Sequence, residues 1–370
     1  MRITLARLFL LLVFCAPLSA IAAPQDNSPY KVGALLHITG DYAVQGVAFR
    51  EGVELAAAEI NAAGGINGHP IQAIFEDTQY LPLLSNNGAK KLSQVDQVSA
   101  VLVSTVSEAK AAGATLQRAE VPTIVLWDSS PEIEALGDYF FGIGPWSPSS
   151  GERTAKFAHD YLKAKNAVII NTNSEWSLYV GNYFASTFKN EGGTVLETLS
   201  FNPDERDYRS TLARVRSEKP DIIYAPMDGN IVSFFQQAHQ MQVGIPLLTS
   251  DIITDDYLSS EPKSFEGVYQ SLSAPPDFPA TKRMAESYAK YFHRPITQTQ
   301  FVAWGYDGLE LVAQAFREVG PDRVKVKDAL HHIHDLDGAS GTITMDAHGS
   351  APRPVHMYQV EKGTLKLVEE

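Results

Sequence analysis

At 370 residues the chain exceeds what one hydrophobic core usually organises, so two domains are expected. Its 43 Asp and Glu against 30 Lys and Arg give a formal charge of −13, which argues against nucleic acid or anionic lipid as a partner, since both require basic patches. A single cysteine, Cys15, excludes an internal disulfide.

Arg2 and Arg7 precede an apolar run, Leu8 to Cys15, followed by Ser19-Ala20-Ile21-Ala22-Ala23. This is the pattern of a cleavable secretory signal over residues 1–22, and it implies export to the periplasm. Ala20 and Ala22 satisfy the A-x-A rule, whereas cutting after Ala23 would leave Pro24 first, so the mature chain is expected to begin at Ala23. Phe14 before Cys15 does not suit lipid attachment. Removing the signal leaves 348 residues (370 − 22), a charge of −15 (−13 − 2) and no cysteine for a thiolate metal site or nucleophile. The apolar run is too short to span a bilayer, and no later stretch is longer and apolar enough.

Short apolar, β-branched runs then alternate with segments of helical period, the pattern of parallel sheets with crossover helices. Strands are predicted at Lys31–Ile38, Ile71–Asp77, Ala100–Val103 and Thr123–Leu126, then at Ala167–Asn171, Val195–Ser200 and Asp221–Ala225. Between the first two, Val53, Ala56, Ala57 and Ile60 mark one face of a helix that stops at Gly64-Gly65. Further helices are expected at Ser149–Leu162, Leu178–Glu191, Tyr208–Ser217 and Ile231–Met241, and Asp255-Asp256 opens a short one. Irregular Gly- and Pro-rich stretches at Gly142–Pro145, Ala274–Pro276 and Gly338–Gly341 suit crossings between lobes. The fold class is therefore α/β: two doubly wound, Rossmann-like lobes joined by a three-strand hinge. The expected boundaries are 30–144 plus 276–340 for the first lobe and 145–275 plus 341–370 for the second. The tail from Gly341 to Val360 reads as a hairpin turning at Asp346–Gly349.

No phosphate loop, G-x-S-x-G elbow or HExxH helix occurs, and no cofactor is implied. The cluster His331, His332, His334, Asp335 and Asp337 suits a solvated helix end better than a metal site, because only His331 and Asp335 share a face. What remains is a set of polar and aromatic residues just after strand ends, where ligands of open α/β sheets bind. They are Gln45, Ser104 to Ser107 and Trp127 to Ser130 from the first lobe, and Glu175–Ser177, Met227-Asp228 and Ser250-Asp251 from the second.

The stretch Gly52 to Gly68 contains Ala56, Ile60-Asn61, Gly64-Gly65-Ile66 and Gly68. It resembles the A-x-x-x-I-N-x-x-G-G-I-x-G signature of leucine/isoleucine/valine-type periplasmic binding proteins, and the likeness continues through Glu76-Asp77, Trp127 to Pro131, Asn190–Gly193 and Gly338–Ile343. The resemblance implies the type I periplasmic binding fold and a solute-binding component of an ABC importer, working with two permease and two ATPase subunits, monomeric and not an enzyme. It implies that Ser107 and Ser129 offer hydroxyls to a ligand carboxylate, that Val106 and Trp127 offer backbone groups, and that Gln45 lines the pocket. From the second lobe it implies Trp176 over the ligand and Asp251, with Asp228 beside it, receiving an ammonium. Val106 stands where a small hydroxylated residue is frequent in the family. Trp127 and Trp176, with Glu108, Asp128 and Asp228 nearby, would suit a cationic or aromatic ligand as well as an amino acid. Alternative uses of the same architecture are a periplasmic sensor that presents its closed form to a receptor, and an enzyme on a similar scaffold.

Overall fold

The computed structural model describes residues 27–145 and 147–369. The expected signal segment, 1–22, lies outside the described residues.

The first lobe is laid down as β1 (Tyr30–Leu36), α1 (Ala43–Ala62), β2 (Ile71–Asp77), α2 (Pro82–Lys90), β3 (Ala100–Val103), α3 (Val106–Arg118), β4 (Thr123–Val125), α4 (Pro131–Glu134) and β5 (Phe140–Gly142). The strands form one parallel sheet in the order β2-β1-β3-β4-β5. Alternate residues of the buried central strands β1 and β3 feed opposite faces. Val32, Ala34, Leu36 and Leu102 join the core on one side, while Leu35, Val101 and Val103 join Ala109, Ala112 and Leu116 of α3 on the other. That two-sided burial is why the strands read as continuous apolar runs rather than as alternating ones.

The chain then crosses to α5 (Ser147–Asp160), β6 (Asn166–Thr172), α6 (Glu175–Asn190), β7 (Thr194–Phe201), α7 (Arg209–Glu218), β8 (Ile222–Tyr224), α8 (Ile231–Gln240), β9 (Leu247–Thr249), α9 (Asp255–Ser260) and β10 (Tyr269–Leu272). It returns to the first lobe as α10 (Pro279–Phe292), α11 (Thr299–Val319), α12 (Arg323–Leu330) and the small pair β11 (Leu336–Gly338) and β12 (Gly341–Ile343). It ends in the second with β13 (His356–Glu361) and β14 (Thr364–Glu369). The second sheet runs β14-β13-β10-β9-β8-β6-β7, parallel except for the last two strands, which are antiparallel at one edge.

The glycine-rich signature is structural. Asn61 clamps the start of β2, donating from Nδ2 to the Ile71 carbonyl at 2.9 Å and accepting from the Ile71 N–H at 2.7 Å. Gly64 and Gly65 then take φ of 101° and 76° to end α1, and Ile66 is buried. At the other face α1 crosses α11 at backbone contact: a Cβ on Gly52 would lie 2.1 Å from the Val302 carbonyl oxygen, and one on Gly305 2.2 Å from that of Phe49.

Two expectations are corrected at the third crossing. Ile343, Met345 and Ala351 belong to the first lobe's core and Gly142 bridges Ser350, so the chain leaves the first lobe between Ala351 and His356 instead of at Gly341. The turn at Asp346–Gly349 does form, with Asp346 accepting from the N–H groups of His348 and Ser350 at 2.8 Å each, but its flanks are not a hairpin. Pro352 and Pro354 have no N–H to continue a ladder, so β12 pairs with β11, and β13 pairs with β14 across Lys362-Gly363.

Arg353, 3% exposed, ties this crossing down. It donates from Nε to the Ile143 carbonyl at 3.2 Å and from Nη1 to those of Gly341 and Thr342 at 3.1 and 2.7 Å, and its Nη2 lies 3.6 Å from Asp307 Oδ2. Asp307 in turn accepts from the N–H groups of Ala339 and Ser340.

Candidate functional site

In each sheet the strand order reverses beside the first strand of the lobe, between β1 and β3 in one and β6 and β8 in the other. The loops leaving neighbouring strands there diverge and open a crevice at the strands' carboxyl ends. The two crevices face each other and enclose one cavity of about 690 Å³, lined from both lobes.

From the first lobe come His37, Asp41, Tyr42 and Gln45 after β1, Tyr80 after β2, Thr105 to Ser107 after β3, and Trp127, Asp128, Ser130 and Glu132 after β4. From the second come Asn173 to Trp176 after β6, Met227 to Gly229 after β8, and Asp251, Ile252 and Thr254 after β9. Seven of the eight residues singled out in the sequence line it: Gln45, Val106, Ser107, Trp127, Trp176, Asp228 and Asp251. Ser129 does not. Its hydroxyl donates to the Gly144 carbonyl at 3.1 Å and its own carbonyl accepts from Ser350 Oγ, so it braces the hinge, and the expectation of a hydroxyl offered to ligand is corrected.

The α3 N-terminus forms one wall. Thr105 caps it, accepting from the Glu108 N–H, and the Glu108 side chain folds back beneath the first turn, 2% exposed. Its carboxylate accepts from Thr78 Oγ1 and from Thr105 Oγ1 (2.9 Å), and His37 Nδ1 lies 3.2 Å from it. Ser107 donates its hydroxyl across the cleft to Glu175 at the start of α6. Lys110, one turn on, meets Glu175 at 2.8 Å and Glu132 at 2.5 Å, which joins the lobes at the cleft mouth. These two partners hold the Lys110 ammonium above its ordinary range despite the opposing effect of burial.

Asp251 is 2% exposed, and its Oδ2 has no hydrogen-bond partner. It caps no helix, because Thr254 takes the N-cap position of α9. Burial pushes its carboxyl up to about 6, against smaller effects of its own N–H and the Trp127 indole. The indole N–H lies near enough to favour the ionised form but outside hydrogen-bond geometry. Asp128 is likewise pushed up to about 6, first by burial, while the Ser130 N–H, donating at 2.6 Å, opposes the shift. Asp228 accepts from Thr172 Oγ1, which fixes its side chain at the cavity wall. In all, seven carboxylates line the cavity and, among the described residues, no lysine or arginine.

Sequence reading missed the aromatic half of the site. Tyr42 and Tyr80 pack together at 4.9 Å between ring centroids, Tyr179 and Tyr257 enter from the second lobe, and Phe301 meets the Trp127 ring edge-on at 4.7 Å. Tyr42 and Tyr80 follow strand ends and were within reach of the same rule. Gln298 and Phe301 come from the start of α11, which follows no strand, and so had no such signal.

The profile of the family described as periplasmic binding protein matches residues 29–364. Among curated proteins, the Leu/Ile/Val-binding protein BraC3 of Rhizobium johnstonii is 21% identical over 94% of this chain and 96% of its own length. Among solved structures, the branched-chain amino acid transporter substrate-binding protein LivJ of Streptococcus pneumoniae, in complex with isoleucine, is 23% identical, with a TM-score of 0.84 over 92% of this chain and all of that one. A solute-binding protein of R. palustris in complex with benzoate is 21% identical, with a TM-score of 0.82 over 92% and 96%. With two doubly wound lobes about one cleft and a profile match spanning nearly the whole chain, the protein belongs to the periplasmic binding protein family.

Proposed function

We propose that this chain is the periplasmic solute-binding component of an ABC importer. It is exported by its N-terminal signal, holds an amino acid or related small polar molecule between its lobes, and delivers it to permease and ATPase subunits. The observation that carries this reading is the cavity itself: about 690 Å³, at the switch points of both sheets, with neither lobe forming it alone. Gln45, Val106, Ser107 and Trp127 form the first lobe's share of the contacts, and Trp176, Asp228 and Asp251 the second's.

The mechanism is hinge closure. Ligand docks on one wall, the other swings over it about the three crossings, and the closed form is the one the permease engages. The cleft-mouth contacts of Ser107 and Lys110 with Glu175 are available only when the lobes meet, so they favour closure without touching ligand. The reading has no place for turnover, and the protein acts as a monomer.

The test is a thermal-shift screen of the ligand-stripped mature protein against amino acids, amines and small carboxylates, with small-angle scattering on each hit. A ligand at a hundred times its Kd adds about 2.7 kcal/mol of stability. The reading expects at least one such compound, accompanied by a smaller radius of gyration. A panel without a single stabilising compound, or hits that leave the radius unchanged, would contradict it.

A further inference from the structure

The Ser107 and Ser129 hydroxyls that would greet a carboxylate in this cleft are already committed, whereas a buried acceptor, Asp251 Oδ2, stands unpaired. We propose that the solute is an organic cation without a free carboxylate, an amine whose ammonium meets Asp251 and whose apolar body rests on the rings of Trp127 and Trp176. The proposal rests on the solute-binding reading and narrows it to a chemical class. It also separates this chain from relatives of the same fold solved with isoleucine and benzoate, each of which brings a carboxylate.

The first argument is the state of the anion-binding elements. A helix N-terminus attracts anions through its free N–H groups and its positive dipole end. At α3 that end is already offset by Glu108, whose carboxylate lies beneath the first turn with Thr78, Thr105 and His37 around it. The Ser107 hydroxyl donates to Glu175 and the Ser129 hydroxyl to Gly144, so neither is left for a ligand oxygen. Lys110 is held between Glu132 and Glu175. A ligand carboxylate would therefore enter a space bounded by seven carboxylates and, among the described residues, by no lysine or arginine to receive it.

The second argument is independent of that charge count. Asp251 lines the cavity, and its Oδ2 is buried and accepts nothing, although a buried carboxylate oxygen without a donor is costly. An ammonium is the donor that completes it, in a charge-assisted hydrogen bond. Trp127, close to Asp251, and Trp176, Tyr42, Tyr80 and Tyr179 elsewhere in the lining of the same cavity supply aromatic surface that attracts a cation and accommodates its hydrocarbon.

Matched ligand sets test the class. Isopentylamine, L-leucine and isocaproate share one side chain, as do phenethylamine, L-phenylalanine and hydrocinnamate. Each is titrated by calorimetry into the ligand-stripped mature protein at pH 7.5. The amines are expected to bind at least about tenfold more tightly than the matched acids and no more weakly than the matched amino acids. Asp251→Asn is expected to remove amine binding while retaining a cooperative melt and an unchanged far-UV spectrum. Amino acids or acids that bind where the amines do not would overturn the cation while leaving the solute-binding reading intact. Silence from all six would also overturn it, and the broader screen then decides the solute-binding reading separately.

Discussion

Trp127 of the first lobe and Asp251 of the second line the same cavity, and the indole nitrogen of the one and Oδ2 of the other are both buried without a hydrogen-bond partner. A complementary donor and acceptor are held on opposite lobes, close enough for the indole to favour the ionised carboxylate yet outside hydrogen-bond geometry. The protein thus carries an unfavourable buried carboxylate, which the ammonium of the proposed solute would relieve.

Replacing that carboxylate should separate stability from function. Asp251→Asn removes a charge whose burial raises its pKa to about 6, a shift of roughly 2 units, so the empty variant should be about 1–3 kcal/mol more stable at pH 7.5 while losing ligand binding. Thermal melts of the ligand-free protein check the sign, and calorimetry the loss.

The pH dependence of that difference follows. A carboxyl whose folded pKa is raised imposes no penalty below its unfolded pKa near 4, a growing one between there and about 6, and the full one above. The gap in melting temperature between Asp251→Asn and the unmodified protein should therefore be widest above about pH 6 and close as pH falls toward 4. Asp128, raised by burial in the same range, is present in both proteins and cancels in the comparison. Ligand stabilisation by a cation should run in parallel, strong above about pH 6 and weakening below it.

Lys110 should act on closure alone. Its salt bridges with Glu132 and Glu175 are partly exposed, and such pairs contribute about 0–1 kcal/mol. Lys110→Met should leave the melting temperature of the empty protein nearly unchanged yet weaken ligand binding about two- to fivefold, because the Glu175 contact exists only with the lobes together. The dissociation rate measured by stopped flow should account for the change.

At the third crossing Arg353 compensates the buried Asp307, which desolvation alone would push strongly toward protonation. Arg353→Met leaves that carboxylate without its countercharge and three carbonyls without a donor, a loss of about 3–5 kcal/mol by urea denaturation. Arg353→Lys should recover only part of it, since one ammonium cannot span the positions reached by the guanidinium.

Gly305 offers a steric test of the core beneath the site. A Cβ there would press on the Phe49 carbonyl, so Gly305→Ala should destabilise by about 1–3 kcal/mol even though alanine has the better helix propensity. Chemical denaturation gives the magnitude.

Much of the architecture was legible because parallel strands buried on both faces leave unbroken apolar runs, and because Gly64 and Gly65 announce the end of α1 through a backbone conformation that few other residues adopt. The cleft was legible to the extent that it is built from strand ends, as for Ser107, Trp127, Trp176, Asp228 and Asp251. Ser129 misled because sequence reports that a hydroxyl is present and not which carbonyl it already serves. The tail misled for a related reason: Asp346 to Gly349 forms its turn, but whether the flanking segments pair depends on Pro352, Pro354 and the pull of Arg353 on the first lobe. Phe301 and Gln298 could not be read, since α11 reaches the cleft through tertiary packing alone.

The most direct measurement is mass spectrometry of the small molecules released when the protein, purified without dialysis from cells that export it, is denatured. The account predicts one organic cation in near-stoichiometric amount, absent from the Asp251→Asn protein prepared in the same way. A stoichiometric carboxylic acid or amino acid, retained equally by Asp251→Asn, would contradict it.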